Sequence, residues 1–168
     1  MEITAAHYAS PTAKSSAVDH LDVVILGATE IDTQFNVNVH TDSNGYIMGG
    51  SGGHSDTAAG AKMAMIVAPL SRARLPIVVD HVLCKSTPGN TVDVLVTQRG
   101  IAVNPLRQDL KERFTEAGLP VVEIEKLRDD AEKLNGKAKK PVLGDREVAK
   151  VIYRDGTLLD TIYNVPVK

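Results

Sequence analysis

One cysteine, Cys84, stands alone in 168 residues, so neither an intramolecular disulfide framework nor a multi-cysteine zinc site can form. A reducing, cytoplasmic setting is the natural expectation for such a chain. Tryptophan is absent, and two Phe and four Tyr are too few for base-stacking platforms. Charge of one sign is missing too: 19 Lys and Arg against 21 Asp and Glu leave −2, with no electrostatic pull toward nucleic acid or an anionic membrane. The longest apolar runs, 23–26 and 63–70, are far too short to span a bilayer, and residues 1–20 lack the basic start and apolar stretch of a secretory signal. The five histidines, at 7, 20, 40, 54 and 81, show no metal-ligand spacing, so no metal is predicted. What is present is an ordinary globular composition, 43% hydrophobic and 24% charged, in a length suited to one domain.

Four short apolar runs rich in β-branched residues, 22–27, 64–68, 77–80 and 92–97, read as strands buried on both faces. Residues 36–41 alternate and read as a half-exposed strand. Leu106, Leu110 and Phe114 recur every four residues behind Pro105, which predicts a helix over 105–117 closed by Gly118. A buried strand over 119–124 and a helix over 125–134 follow. This order implies crossover units on a mostly parallel α/β sheet with helices on both faces. Residues 147–153 and 157–164 flank Arg154-Asp155-Gly156 and predict an antiparallel C-terminal hairpin. The chain thus divides into an arm (1–21), an α/β core (22–135), and a linker plus hairpin (136–168). The lysines at 137, 139 and 140 belong to the linker.

The most unusual segment is Gly49-Gly50-Ser51-Gly52-Gly53-His54-Ser55-Asp56. Four glycines in five positions let backbone approach a ligand closely. Ser55 is expected to cap a short helix over 56–61, so that successive N–H groups form an anion-binding concavity for phosphate, carboxylate or an oxyanion. Asp56 is a candidate cap or orienting group and His54 a candidate donor; a flexible surface turn is the plainer alternative. The loop is not a Walker A motif, because no Gly-Lys-Ser/Thr follows. Glu30 and Asp32 lie two apart beyond a predicted strand end, where open α/β sheets place ligand crevices. Paired carboxylates there could divide acid and base roles, although a solvated loop explains the spacing as well. Asn36, Asn38, His40, Asp42 and Asn44 form a polar stripe that could line a substrate pocket or simply a wet sheet face. Arg72 and Arg74 are possible counter-charges. Cys84 reads as core rather than nucleophile.

These motifs resemble a known family. Residues 22–32, DVVILGATEID, are similar to the LGA-x-[QE]-[VI]-D segment of the acid CoA-transferase superfamily. The run 49–56 with Gly60-Ala61-Lys62 resembles its GGxxD…GAK loop, and Thr87-Pro88-Gly89 through 96–105 its LTG…V-x-x-I stretch. Within the superfamily, GATEIDTQFNVNVHTDSNGYIMGGSGGHSDTAAGAK and RLPIVVD resemble the C-terminal region of the citrate lyase alpha chain family. The resemblance implies a CoA-transferase, sugar-phosphate isomerase-like fold and a citrate CoA-transferase activity. In that activity citrate replaces acetyl on an acyl-carrier-protein thioester of phosphopantetheine type (or CoA), giving citryl thioester and acetate. It further implies a lyase beta chain and an acyl-carrier (gamma) chain as partners, with no nucleic acid or membrane involved. With the glycine loop and polar stripe, the expected site is Gly52, Gly53, His54 and Glu30 for catalysis, and Gly49, Gly50, Ser51, Ser55, Asp56, Asn36 and Asn38 for substrate; Glu30 ranks as site-lining, because the matching position in relatives is not the usual nucleophile.

Relatives that form an enzyme thioester carry their nucleophilic glutamate in an E-x-G-type segment upstream of the LGA motif, and the present sequence does not include that segment. The chain is therefore expected to be the C-terminal part of such a subunit, lacking an N-terminal half and inactive alone. Three other readings stay open: a different acid CoA-transferase or thioester hydrolase, an effector-binding or assembly module of the same fold, and a non-functional remnant. A substrate panel separates the first, and phosphosugar binding without acyl exchange the second.

Overall fold

The computed structural model describes residues 2–166. Its centre is a four-stranded sheet in the order β1 (Val24–Leu26), β4 (Ala64–Val67), β8 (Val94–Thr97), β9 (Gly100–Val103). The first three strands run parallel, as their uniformly apolar sequences predict. β9 turns back antiparallel on β8 through Gln98-Arg99. Thr97 Oγ1 donates to the Gly100 carbonyl, and Gly100 takes a φ of +146°, so the tight reversal depends on glycine there.

Alternation along these strands gives the sheet two apolar faces. One carries Met65, Val94, Val96, Ile101 and Val103 and packs on Leu110 and Phe114 of α3 (Gln108–Glu116). The other carries Ile66, Leu95 and Ala102 and packs on Ile124, Leu127 and Ala131 of α4 (Ile124–Asn135). Helices on both faces of a mostly parallel sheet are the expected architecture. A second, three-stranded sheet joins β3 (Val37–Asn38), β2 (Glu30–Asp32) and β7 (Val78–Val79); β2 and β7 pair in parallel and place Ile31, Val37 and Val78 in the same core. The hairpin of β5 (Ser71–Arg72) and β6 (Leu75–Pro76) turns through Ala73 and Arg74, both at positive φ.

The N-terminal arm forms α1 (Ala5–Ala9), capped by the Thr4 hydroxyl accepting from the His7 N–H, and a 3₁₀ turn at Ala17–His20. The C-terminal strands β10 (Glu147–Ile152) and β11 (Leu158–Tyr163) form the expected antiparallel hairpin. Val151 and Ile162 seal Cys84 beneath it, and Asp160 accepts from the Lys85 N–H at 2.6 Å. No helix among the described residues is long and apolar enough to cross a membrane.

Three local expectations are corrected. The strand expected over 119–124 contributes only a single parallel bridge, Val121 to Ile101. Pro120 lacks the N–H a ladder needs there, and α4 already begins at Ile124. Residues 100–103, not singled out as a strand, form β9. The strand at 36–41 is shorter and far less exposed than its alternation suggests, with Asn36, Val37, Asn38 and Val39 all at least partly buried.

Candidate functional site

The glycine-rich loop leads into α2 (His54–Gly60), whose N-cap is Gly53. Ser55, expected to cap the helix, sits within its first turn, and no side chain caps it. His54 does not point out toward solvent. It is 8% exposed, and its ring lies 2.9 Å through Nε2 from the Gly27 carbonyl and 2.7 Å through Nδ1 from the Thr87 hydroxyl. A carbonyl only accepts, so Nε2 carries the proton and Nδ1 accepts from Thr87. Burial holds the imidazole below its ordinary pKa; the Gly27 bond opposes that in part, and His40 adds to it. The neutral ring thus clamps together the end of β1, the start of α2 and the Thr87-Pro88-Gly89 turn. The three segments that carry the family resemblance meet at this one side chain.

Gly89 closes the same junction from below. A Cβ there would collide with the Gln34 carbonyl and come within 2.9 Å of the Asn36 nitrogen, so only glycine permits the approach. Its N–H donates to Asn36 Oδ1 at 3.0 Å, and its carbonyl accepts from the Asn104 amide at 2.8 Å.

The loop itself stands in a different condition. The N–H groups of Gly49, Gly50, Ser51, Gly52 and Gly53 have no partner among the described residues, while the Gly49 carbonyl accepts from His40 Nδ1 at 3.2 Å. Gly52 takes a φ of +55° with open space where a Cβ would sit. The loop is a partition between two clefts. One, of about 520 Å³, lies between α1, β1, Gly52, Gly53 and Asp56. The other, of about 420 Å³, lies beneath the C-terminal hairpin and is lined by His40, Gly49, Gly50, Ser55, Ser86 and Lys150, with Ser51 on both sides of the partition. Unpaired backbone donors beside hydroxyls and an imidazole suit a carboxylate or an oxyanion.

Asp56 lies 3.7 Å from Arg154 in the hairpin turn, tying the hairpin to α2. Burial raises the Asp56 carboxyl above its ordinary range, and Arg154 only partly opposes that.

Glu30 and Asp32 are drawn together with Asn38 and Asn36, but in the interior. Glu30 is 3% exposed; it accepts from Asn38 Nδ2 at 2.9 Å, the Leu83 N–H at 2.8 Å and the Ser43 hydroxyl at 2.7 Å. Asp32 accepts from the N–H groups of Gln34 and Asn36, each at 2.9 Å, and from the Asn36 amide. Asn38 Oδ1 in turn accepts from the N–H groups of His40 and Thr41. These four side chains brace the turn that carries Phe35, buried at a φ of +63°, and none of them lines either cleft. Arg72 and Arg74 are exposed on the β5–β6 hairpin and also line neither cleft. Cys84 is core: burial first, then Asp160 and Glu30, push its thiol up to about 12.

Neither composition nor spacing places Thr87, Ser86, Lys150 or Arg154 at the site. A TPG turn does mark Thr87, but nothing local signals that the hairpin folds over the glycine loop.

The family described as "Citrate lyase, alpha subunit (CitF)" matches residues 1–165. This chain belongs to the citrate lyase alpha subunit family. It is 54% identical over 165 residues to the citrate lyase alpha chain of Klebsiella pneumoniae and 53% identical to that of Escherichia coli. Each match covers 98% of this chain and 32% of the relative, so the chain spans about a third of the length of the curated relatives it matches. A Streptococcus mutans structure assigned to the alpha subunit of citrate lyase, in complex with citrate, superposes with a TM-score of 0.96 at 48% identity. That superposition covers 99% of this chain and 33% of the other. The expected family is therefore established, and with it the mixed α/β fold.

Proposed function

We propose that this chain supplies the glycine-loop lobe of a citrate CoA-transferase, the component of citrate lyase that exchanges acetyl for citrate on a carrier thioester. The observation that carries the reading is the row of N–H groups at Gly49–Gly53, unpartnered among the described residues and held between two clefts by the His54 clamp. Family membership supports it, as does the citrate complex of the Streptococcus mutans relative.

In direct exchange, a carboxylate oxygen of citrate forms a C–O bond to the acetyl carbonyl and the C–S bond breaks, releasing the thiolate. The thiolate then attacks the citryl carbonyl of the mixed anhydride and expels acetate. Both steps place negative charge on a former carbonyl oxygen, the charge that fixed backbone donors stabilise best. In this reading Gly52 and Gly53 donate to that oxygen, while Gly49, Gly50, Ser51 and Ser55 bind the acid beside His40. His54 and Asp56 hold the loop's geometry rather than exchange protons, and Glu30, Asn36 and Asn38 support the floor beneath it. The thioester arrives as substrate on the phosphopantetheine of an acyl-carrier (gamma) chain, and a beta chain cleaves the citryl product. Catalytic groups from the remaining two-thirds of an alpha subunit complete the site, so the chain alone is inactive.

The test is exchange of labelled acetate into acetyl-CoA, with and without citrate. It is run on the chain alone and after adding the remaining two-thirds of the Klebsiella pneumoniae alpha chain. Exchange that appears only on complementation and falls about 10²–10³-fold with Gly52→Val is the expected result. Unchanged turnover in that variant would remove the loop from the chemistry.

A further inference from the structure

The edge of the main sheet at β1 is open, although β1 has the sequence of an interior strand. The Val24 N–H donates to the Met63 carbonyl across the β1–β4 ladder at 2.9 Å. Backbone groups alternate sides along a strand, so the N–H and C=O of Val23 and Ile25 point away from β4. No strand pairs with them among the described residues. Farther along, the outward Gly27 carbonyl is already taken by His54 Nε2, so the free stretch ends at the glycine loop. The side chains repeat the pattern. Ile25 is 66% exposed, Val23 43% and Val67 47%; Ile25 and Val67 lie on the sheet face that packs on α3 but are not part of the cluster that Met65, Val94 and Val103 form beneath it. The 520 Å³ cleft runs along this edge, walled by α1 on one side and by Val24, Ile25 and Leu26 on the other, and it opens onto Gly52 and Gly53.

An apolar edge with unpaired backbone groups is a template for one more strand. We infer that the β1 edge is the docking seam for an extended segment from the remaining two-thirds of a citrate lyase alpha subunit. That segment adds as a strand beside Val23–Ile25 and covers Ile25 and Val67. Length and fit point to this occupant: the Streptococcus mutans subunit superposes on this chain at a TM-score of 0.96, yet two-thirds of it lies outside the match. No net charge opposes the contact, since the flanking Asp22 and Lys62 pair with each other at 2.7 Å. Because the cleft opens onto the glycine loop, a strand seated there delivers the partner's side chains next to Gly52 and Gly53. This rests on the family and on the complementation part of the proposed function, and it holds whether or not the loop performs acyl exchange.

The test mixes the 168-residue chain with the remaining two-thirds of the Streptococcus mutans alpha subunit, affinity-tagged, and reads complex formation by sizing and calorimetry. Hydrogen exchange is followed at the amides of Val23 and Ile25. A stoichiometric complex that slows exchange at both amides is the expected result. Ile25→Lys is expected to weaken it at least tenfold. Ile25→Pro, which deletes the outward N–H and no bond to β4, should do the same while far-UV circular dichroism stays unchanged. Val148→Lys, on the exposed side of the hairpin, should leave binding intact. No complex, a complex without protection at Ile25, or a wild-type homodimer that Ile25→Lys dissociates would each overturn the inference. Gly52→Val separates the two readings: a complex that forms but does not exchange acetate upholds the seam while testing only the chemistry.

Discussion

The buried knot around Glu30 and the glycine loop above it differ in where their polar groups go. In the knot, each carboxylate and amide is matched to a partner at 2.7–3.2 Å, in surroundings a few per cent exposed. In the loop, five successive N–H groups are without partners among the described residues, on residues that mostly have no side chain at all. A fold cannot leave donors unpaired in its interior without losing about 1–3 kcal/mol for each. It can leave them at the wall of a cleft, where water or substrate serves them. Polar side chains are therefore a poor guide to the site here, and bare backbone is the better one.

The largest effect is expected in the knot. Glu30→Ala strips acceptors from the Asn38 amide, the Ser43 hydroxyl and the Leu83 N–H. Three orphaned donors at about 1–3 kcal/mol each predict a loss of at least about 3 kcal/mol, read as a lower urea midpoint. An Ala variant as stable as the parent but dead in the complemented exchange assay would move Glu30 from the scaffold to the chemistry. Gly89→Ala should be comparably damaging, because the Gln34 carbonyl occupies the space its Cβ needs. Gly52→Ala makes the contrast: its Cβ meets nothing, so the cost is only the left-handed backbone, about 1–2 kcal/mol. Its exchange rate should nevertheless fall, since the N–H groups on either side shift with it. A Gly52→Ala protein that is strongly destabilised would mean the loop is packed rather than poised.

The same contrast explains what the sequence made legible. Strands β1, β4, β7 and β8 and both long helices were visible because burial writes itself into apolar runs and four-residue spacing. The glycine loop was visible because no packed element tolerates four glycines in five positions. Alternation misled at 36–41: Asn36 and Asn38 are polar yet interior, and a side chain's partner eight residues away leaves no local mark. Leu119–Ile124 reads as a strand by composition, but which strand a run pairs with is decided by the β8–β9 reversal at Gly100. Nor could spacing show that His54 turns inward to Gly27 and Thr87, 27 and 33 residues away.

The clamp predicts a pH dependence of definite sign. Burial holds folded His54 below the ordinary value of 6.5, so on acidification the unfolded chain takes up the proton first. Stability should be steady above about pH 6.5 and decline as pH falls from there toward the folded value. Thr87→Val leaves Nδ1 without its donor and should cost about 1–2 kcal/mol at neutral pH, while Thr87→Ser restores the bond. His54→Gln should flatten this part of the profile. A wild-type profile already flat between pH 5 and 7 would show that the ring is not held neutral.

Asp56 should give the smallest effect, with the opposite sign. Its folded carboxyl titrates above 3.8 because burial outweighs Arg154, so the folded state holds the proton more tightly than the unfolded one. That contribution is fully present below pH 3.8 and is lost as pH rises through the folded value, leaving the ionised form a small net cost at neutrality. Asp56→Asn should therefore raise the melting temperature slightly at pH 7 and leave it unchanged near pH 3. Arg154→Ala should lower it at pH 7, because it removes the one opposing charge 3.7 Å away. Should Asp56→Asn instead destabilise at pH 7 as much as Arg154→Ala, the ion pair would outweigh burial. The hairpin would then be held to the glycine loop by charge rather than by the packing of Val151 and Ile162 over Cys84.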